Sequence, residues 1–257
     1  PDAWLTRLAP LGRALFARTT FLAWLALISS GALALAIGGA SLAETLSAPG
    51  FPSPRTALLM LLVYPPLKLL HELAHALAVK RFGGEVHEIG VSLMVLLPLP
   101  YVEASASAAF PDKRERMLVS AAGIGVELAL AAVGAVLWAG TAGPAAELGL
   151  ALLLTGGVST LLINGNPLLR FDGYYLLADA LEIPNLAARA RALTLGRLRS
   201  LLSGEPHDTE LAADPAERRW LLAYGLLSGP YRTGLTLWIA WLISERWPAL
   251  GTLLALW

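Results

Sequence analysis

The sharpest chemical signal in this chain is a pair of histidines four residues apart with an acid directly after the first: His71-Glu72-Leu73-Ala74-His75. On a helix, positions i and i+4 share a face, so both imidazoles can reach one ion. Catalytic zinc takes three protein ligands and keeps a fourth position open for water. The acid beside the first histidine can take a proton from that water. A third ligand is then required, and His87, Glu85, Glu88, Glu103, Glu127 and Asp172 are the candidates. Asp172 stands in Asn164-Gly-Asn-Pro167-Leu-Leu-Arg-Phe-Asp172-Gly173. Taken alone, its Asp-Gly pair is an ordinary turn signal.

The elements that must position these residues are membrane helices. Apolar residues make up 56% of the chain and charged residues 15%, well short of the roughly one quarter charged in soluble domains. Several apolar runs reach the length of about 20 residues that spans a bilayer. This setting also weighs against a chance HExxH. An ionised side chain at the middle of a membrane helix costs on the order of 2.5–3.5 kcal/mol on insertion scales, and two histidines and a glutamate together there call for an ion or a cavity. Net charge is zero, so no global field favours nucleic acid, and the absence of cysteine excludes disulfides and thiolate ligands.

The chain reads as one membrane-embedded domain over residues 1–257, all-α with about five or six transmembrane helices. Residues 1–19, with Arg7, Arg13 and Arg18, suggest an interfacial helix, and 20–181 the catalytic core. Within that core, spans are expected over about 20–43, 55–79, 117–139 and 145–164. Pro65-Pro66 lies inside the second span and suggests that the HELAH segment starts afresh there. Gly83-Gly84, Pro98, Pro100 and a series of β-branched residues mark a small strand or re-entrant hairpin near 84–107. Such backbone is tolerated at membrane depth where protein or a water-filled cavity covers it.

Residues 182–257 are expected to hold a basic interfacial helix over 185–203, an aqueous loop over 204–213 with an idle His207, and one or two further spans. Asp214, Pro215 and Glu217 give that last segment the signature of a helix start. The tryptophans Trp4, Trp24, Trp138, Trp220, Trp238, Trp247 and Trp257 mostly flank spans, as interfacial anchors do. Opening on Pro1 and ending on Trp257 within an apolar stretch, the sequence reads as a piece of a longer protein. With the N-terminus placed in the cytoplasm, nearly all lysines and arginines before the last span fall in cytoplasmic segments. The HELAH end of the second span and Asp172 then share the cytoplasmic side.

HELAH on one span, followed after a hairpin and another span by Asn164-x-x-Pro167-x-x-x-x-Asp172-Gly173, resembles the site-2 protease family of intramembrane zinc metallopeptidases. The stretches KLLHELAHALAVKRFGGEVHEIG and NPLLRFDGYYLLADALEIPNL are similar to a bacterial branch, the peptide zinc metalloproteases. The resemblance covers nearly the whole chain. It implies a bacterial inner-membrane protein with its active site toward the cytoplasm, cleaving a membrane-anchored peptide or protein. It implies zinc on His71, His75 and Asp172 with Glu72 as the base, and Asn164 and Pro167 near the substrate or oxyanion. Some members of that branch are joined to an export adaptor.

One place departs from the pattern. Where the family carries an AGPxxN-like motif, this chain reads Ala122-Gly123-Ile124-Gly125-Val126-Glu127. Glu127 is an acid within a span, so it is either a functional group in substrate handling or a partner for an arginine or a backbone group. His87, beside Glu85 and Glu88, is either a substrate-gate group or a polar position on a cytoplasmic strand. Two rival functions remain at this level. In one, the chain is a non-proteolytic component of peptide export with a structural or vestigial zinc site. Against it stands Glu72, since a structural site needs no base. The other is a secondary transporter, for which the internal repeat common in that class is missing.

Overall fold

A computed structural model describes residues 2–94, 97–203, 214–245, 247–248 and 252. The loop expected over 204–213, with His207, lies outside these residues, as do Val95 and Trp257.

Two short helices, α1 (Asp2–Arg7) and α2 (Ala9–Leu15), stand where the sequence suggests one interfacial helix. Pro10, which has no N–H to lose, starts the second. Four long elements follow: α3 (Arg18–Ser47), α4 (Pro54–Arg81), α5 (Lys113–Gly140) and α6 (Pro144–Leu152), the last continuing as a π-helix over Leu153–Asn164. Among the described residues these four, the last counted through Asn164, are long and apolar enough to cross a membrane. The chain then forms α7 (Asp172–Leu181), α8 (Leu186–Ser203) and α9 (Pro215–Ser244). Though as long as α3, α9 interrupts its apolar run with Gly229-Pro230 and Arg232 and is not one of the four.

Helix α4 opens on Ser53, whose hydroxyl accepts the Thr56 N–H at 3.1 Å, with Pro54 at the first helical turn. It then runs unbroken through Pro65-Pro66, so the restart suggested by those prolines does not occur. The carbonyls that they leave without a helical donor belong to Leu61 and Leu62. Both residues lie on the exposed side of the helix (59% and 61% exposed), where a local adjustment disturbs no packing. Farther along, His71 and the stretch from Ala74 to Val79 are buried.

Helix α5 is the element against which α3, α4, α6 and the π-helix pack. Small residues permit that: a Cβ on Gly31 of α3 would stand 2.7 Å from Ala132. Trp24 has a role its position near a span end did not suggest. Its indole N–H donates to the Gly125 carbonyl at 2.8 Å and ties α3 to α5.

Between α4 and α5 lie β1 (Ile89–Met94) and β2 (Leu97–Val102), paired antiparallel with Ile89 opposite Val102. Glu103 donates its N–H to the Glu88 carbonyl at 3.0 Å. Inward-bonding positions alternate with outward ones along such a ladder, so Pro98, Pro100 and Val102 all turn their backbone nitrogens outward. At the two prolines the missing N–H therefore costs the ladder nothing. At the entry to this segment, Asp2 accepts the Val86 N–H and the Lys80 ammonium, each at 2.9 Å. The backbone bond first, and the lysine next, hold the Asp2 carboxyl below its ordinary value.

The chain divides into two compact units, residues 1–166 with 171–176, and residues 167–170 with 177–257. In the second unit α8 and α9 pack closely, with Gly225 against Thr194 and Ala190. Asp214 precedes α9 as expected, but its side chain makes no capping bond. Glu217 reaches instead to Arg189 at 2.5 Å. Arg232 donates to the Leu168 carbonyl at 2.9 Å and, at 3.2 Å, to the Tyr224 hydroxyl.

Candidate metal centre

The two histidines of α4 and the aspartate that opens α7 converge. His71 Nε2 and His75 Nε2 are 3.1 Å apart, and Asp172 Oδ2 lies 3.1 Å from the first and 3.3 Å from the second. These three atoms form a nearly equilateral triangle. Oδ2 is buried and makes no aligned hydrogen bond. Unpaired buried oxygens are costly, and a cation shared by the three atoms would satisfy all of them. Zinc ligands at about 2.0–2.2 Å in tetrahedral geometry stand about 3.3–3.5 Å from one another, close to the spacing observed.

Two glycines make room for this arrangement. A Cβ on Gly123 of α5 would lie 2.3 Å from His71 Cε1 and 2.5 Å from both Nε2 atoms, so any side chain there would fill the space on which the imidazoles converge. On Gly173 a Cβ would lie 2.4 Å from the Gly165 carbonyl oxygen. The backbone next to Asp172 can therefore close onto the end of the π-helix only with glycine at 173. The donor set, the spacing and the space fit a zinc ion.

The other side of each ring faces an oxygen. His75 Nδ1 donates to the Val119 carbonyl at 2.7 Å, which leaves its Nε2 lone pair facing Asp172 and His71. His71 Nδ1 faces Glu127 Oε1 at 3.1 Å, within ion-pair reach but outside hydrogen-bond alignment. At Asp172, burial alone would raise the carboxyl. The neighbouring imidazoles act against that and hold the group well below the usual carboxylate range.

Glu72 points along the same face. Its Oε2 accepts the outward N–H of Val102 at 2.9 Å, while Oε1 lies 4.0 Å from His71 Nε2. The hairpin thus fixes one oxygen of this acid and leaves the other turned toward the triad.

Glu127 is fully buried. Lys68 of α4 donates to it at 2.5 Å, Thr160 at 2.6 Å, and the Asn164 amide at 2.8 and 2.9 Å to its two oxygens. Ser159 adds a bond to Lys68 at 3.2 Å. The partner of Glu127 is thus a lysine rather than the arginine or backbone group expected, and the Asn164 amide is committed to Glu127. Pro167 lies in the turn between the π-helix and α7 and belongs to the second unit.

The other acids and His87 stand apart from the triad. His87 and Glu85 face each other at 3.7 Å, both exposed. Glu88 accepts from Tyr101, and Glu103 from Ser105 at 2.6 Å. Lys68 escaped the sequence reading. The signal was there, since it is an ionisable residue inside a span and one turn before His71. Comparison with protein-family models, with curated proteins and with solved structures returns no match.

Proposed function

We propose that this chain is an intramembrane zinc metalloprotease of the site-2 protease kind, hydrolysing peptide bonds of membrane-anchored peptides or proteins. The observation that carries the reading is the convergence of His71 Nε2, His75 Nε2 and Asp172 Oδ2 within 3.3 Å, in space that only a glycine at 123 leaves open. Charge sorting along the sequence supports a site toward the cytoplasm, and the motif resemblance supports a bacterial inner membrane. On this reading α9 is a fifth crossing and the hairpin dips in from the cytoplasmic side beside the site.

His71, His75 and Asp172 would hold the ion. Bound there, zinc would polarise a peptide carbonyl and bring the pKa of a bound water down to about 7. Glu72 takes a proton on its free Oε1 and returns it to the leaving amine. Its Oε2, tied to the Val102 N–H, keeps the carboxylate from swinging away.

A transmembrane substrate hides its peptide bonds in its own helix and must unwind to be cut. The hairpin can receive the freed chain as an added strand. The outer edge of β2 offers no free N–H at 98, 100 or 102, since two are prolines and the third serves Glu72. The receiving edge is therefore β1, where Ile89, Val91 and Leu93 turn their backbone outward. Val91 and Leu93 are also largely exposed, at 67% and 75%.

Glu72→Gln tests the enzyme reading. In proteoliposomes with a membrane-anchored reporter peptide, the variant should hold zinc as the wild type does and lose cleavage by at least 100-fold, at the lower end of what general acid–base catalysis contributes, roughly 10²–10⁴-fold. Undiminished cleavage would exclude Glu72 as the base.

A further inference from the structure

We infer that Glu127 is a positioning residue for His71, a carboxylate that fixes the ring and its ligand atom, and that Lys68, Thr160 and Asn164 serve to hold that carboxylate in place. The inference rests on the zinc reading above and deepens it.

The two ligand histidines are held differently. His75 gives its Nδ1–H to a neutral backbone carbonyl, that of Val119. His71 presents its Nδ1 to the Glu127 carboxyl group at 3.1 Å, within ion-pair reach though not in hydrogen-bond alignment. A carboxylate behind a metal-bound imidazole sets the tautomer and raises ligand basicity, and losing such a partner typically costs about 10–100-fold in metal affinity.

A blander reading is that Glu127 only neutralises Lys68. Three facts speak against it. Replacing a buried ion pair by apolar residues is often neutral or stabilising, so neutralisation alone gives no reason to keep two charges inside a membrane protein. The carboxylate also has more donors than one cation requires: Thr160 and Asn164, both from the π-helix, bind it in addition to Lys68. Finally, the same oxygen that takes the lysine, Oε1, is the one that faces His71. π-Helical segments are uncommon and concentrate at functional sites. Here the segment delivers Ser159 to Lys68, and Thr160 and Asn164 to Glu127.

The test is the double substitution Lys68→Met with Glu127→Gln in the full chain, beside the wild type and Asp172→Ala, all purified in detergent. Zinc affinity is read by chelator competition and fold by the thermal midpoint of the zinc-free protein. Removing both charges together leaves no unpaired ion, so the zinc-free midpoint should stay near that of the wild type. Zinc affinity should nevertheless fall about 10–100-fold, and the visible bands of the cobalt-substituted protein should shift. Wild-type affinity in the double variant would overturn the inference and reduce Glu127 to a counter-ion.

If the double variant does not fold, Glu127→Asp with Lys68 intact poses the same question. It keeps the charge pair and shortens the reach to His71, so a loss of zinc affinity supports the inference and an unchanged affinity overturns it. A wild type that binds no zinc at all would sink the metalloprotease reading and this inference with it. Zinc bound by the wild type, lost in Asp172→Ala and unmoved in the double variant would sink this inference alone.

Discussion

Among the described residues, three lysine or arginine side chains of helix α4 make ion pairs, and these differ chiefly in what surrounds them. Near its start Arg55 meets Glu147 of α6 at 2.7 Å, with side chains 60% and 36% exposed. At its middle Lys68 meets Glu127 at 2.5 Å, with 13% and 0% exposed. Near its end Lys80 meets Asp2 at 2.9 Å, with 11% and 36% exposed. The charges are alike and the distances similar, yet only the middle pair is closed off from solvent on both sides. Among the described residues, only there do side chains of a third element bind the carboxylate as well, and only there does it reach a candidate metal ligand. A short distance alone therefore says little about what an ion pair does. Burial and the neighbouring groups decide whether it is a surface contact, a clamp or part of a site.

Breaking each pair in turn should reproduce that order. Lys68→Met alone leaves the Glu127 carboxylate buried without its cation, and breaking a buried pair this way costs about 3–5 kcal/mol. The thermal midpoint of the zinc-free protein should drop steeply, and a midpoint within a degree of the wild type would dissolve the distinction between the middle pair and the outer ones.

Asp2→Asn should have a smaller and pH-dependent effect. The folded carboxyl sits below its unfolded value of 3.8, so its contribution is present above about pH 4 and lost as pH falls through the folded value. Midpoints of wild type and variant should differ at pH 7 and converge as pH falls through the folded value. A gap that persists or widens in acid would show that the clamp on Lys80 and Val86 does not depend on the charge.

Arg55→Ala should have the least effect, within the roughly 0–1 kcal/mol typical of exposed pairs, and shrinking further in high salt. Its partner Glu147 lines a pocket of about 440 Å³ together with Thr45, Phe51, Trp138 and Leu150 among others. A loss comparable to that of Lys68→Met would mean that this end of α4 is as tightly built as its middle.

Much of this was legible in the sequence, for identifiable reasons. Apolar runs of membrane length located α3, α4, α5 and the helix ending at Asn164, because burial in lipid tolerates few charges in such a run. His71 and His75 were legible because helical spacing alone puts them on one face, and Glu72 because it directly follows the first of them. Asp172 needed the motif around it, since its approach depends on a contact between Gly173 and Gly165 that no periodicity records. The continuity of α4 through Pro65-Pro66 was not legible, because it depends on which face the freed carbonyls take. Neither was the hold on Glu127 by Lys68, Thr160 and Asn164, which joins three elements far apart in the chain. Trp24 looked like an anchor because its partner, the Gly125 carbonyl, is 101 residues away.

The most direct measurement is the zinc content of the detergent-purified protein, wild type beside Asp172→Ala, after reconstitution with zinc and removal of the excess. The expected result is one zinc per chain in the wild type and little in the variant, as a three-ligand site built on His71, His75 and Asp172 requires. No zinc in the wild type, or equal zinc in both, would contradict the metal centre on which the proposed hydrolysis depends.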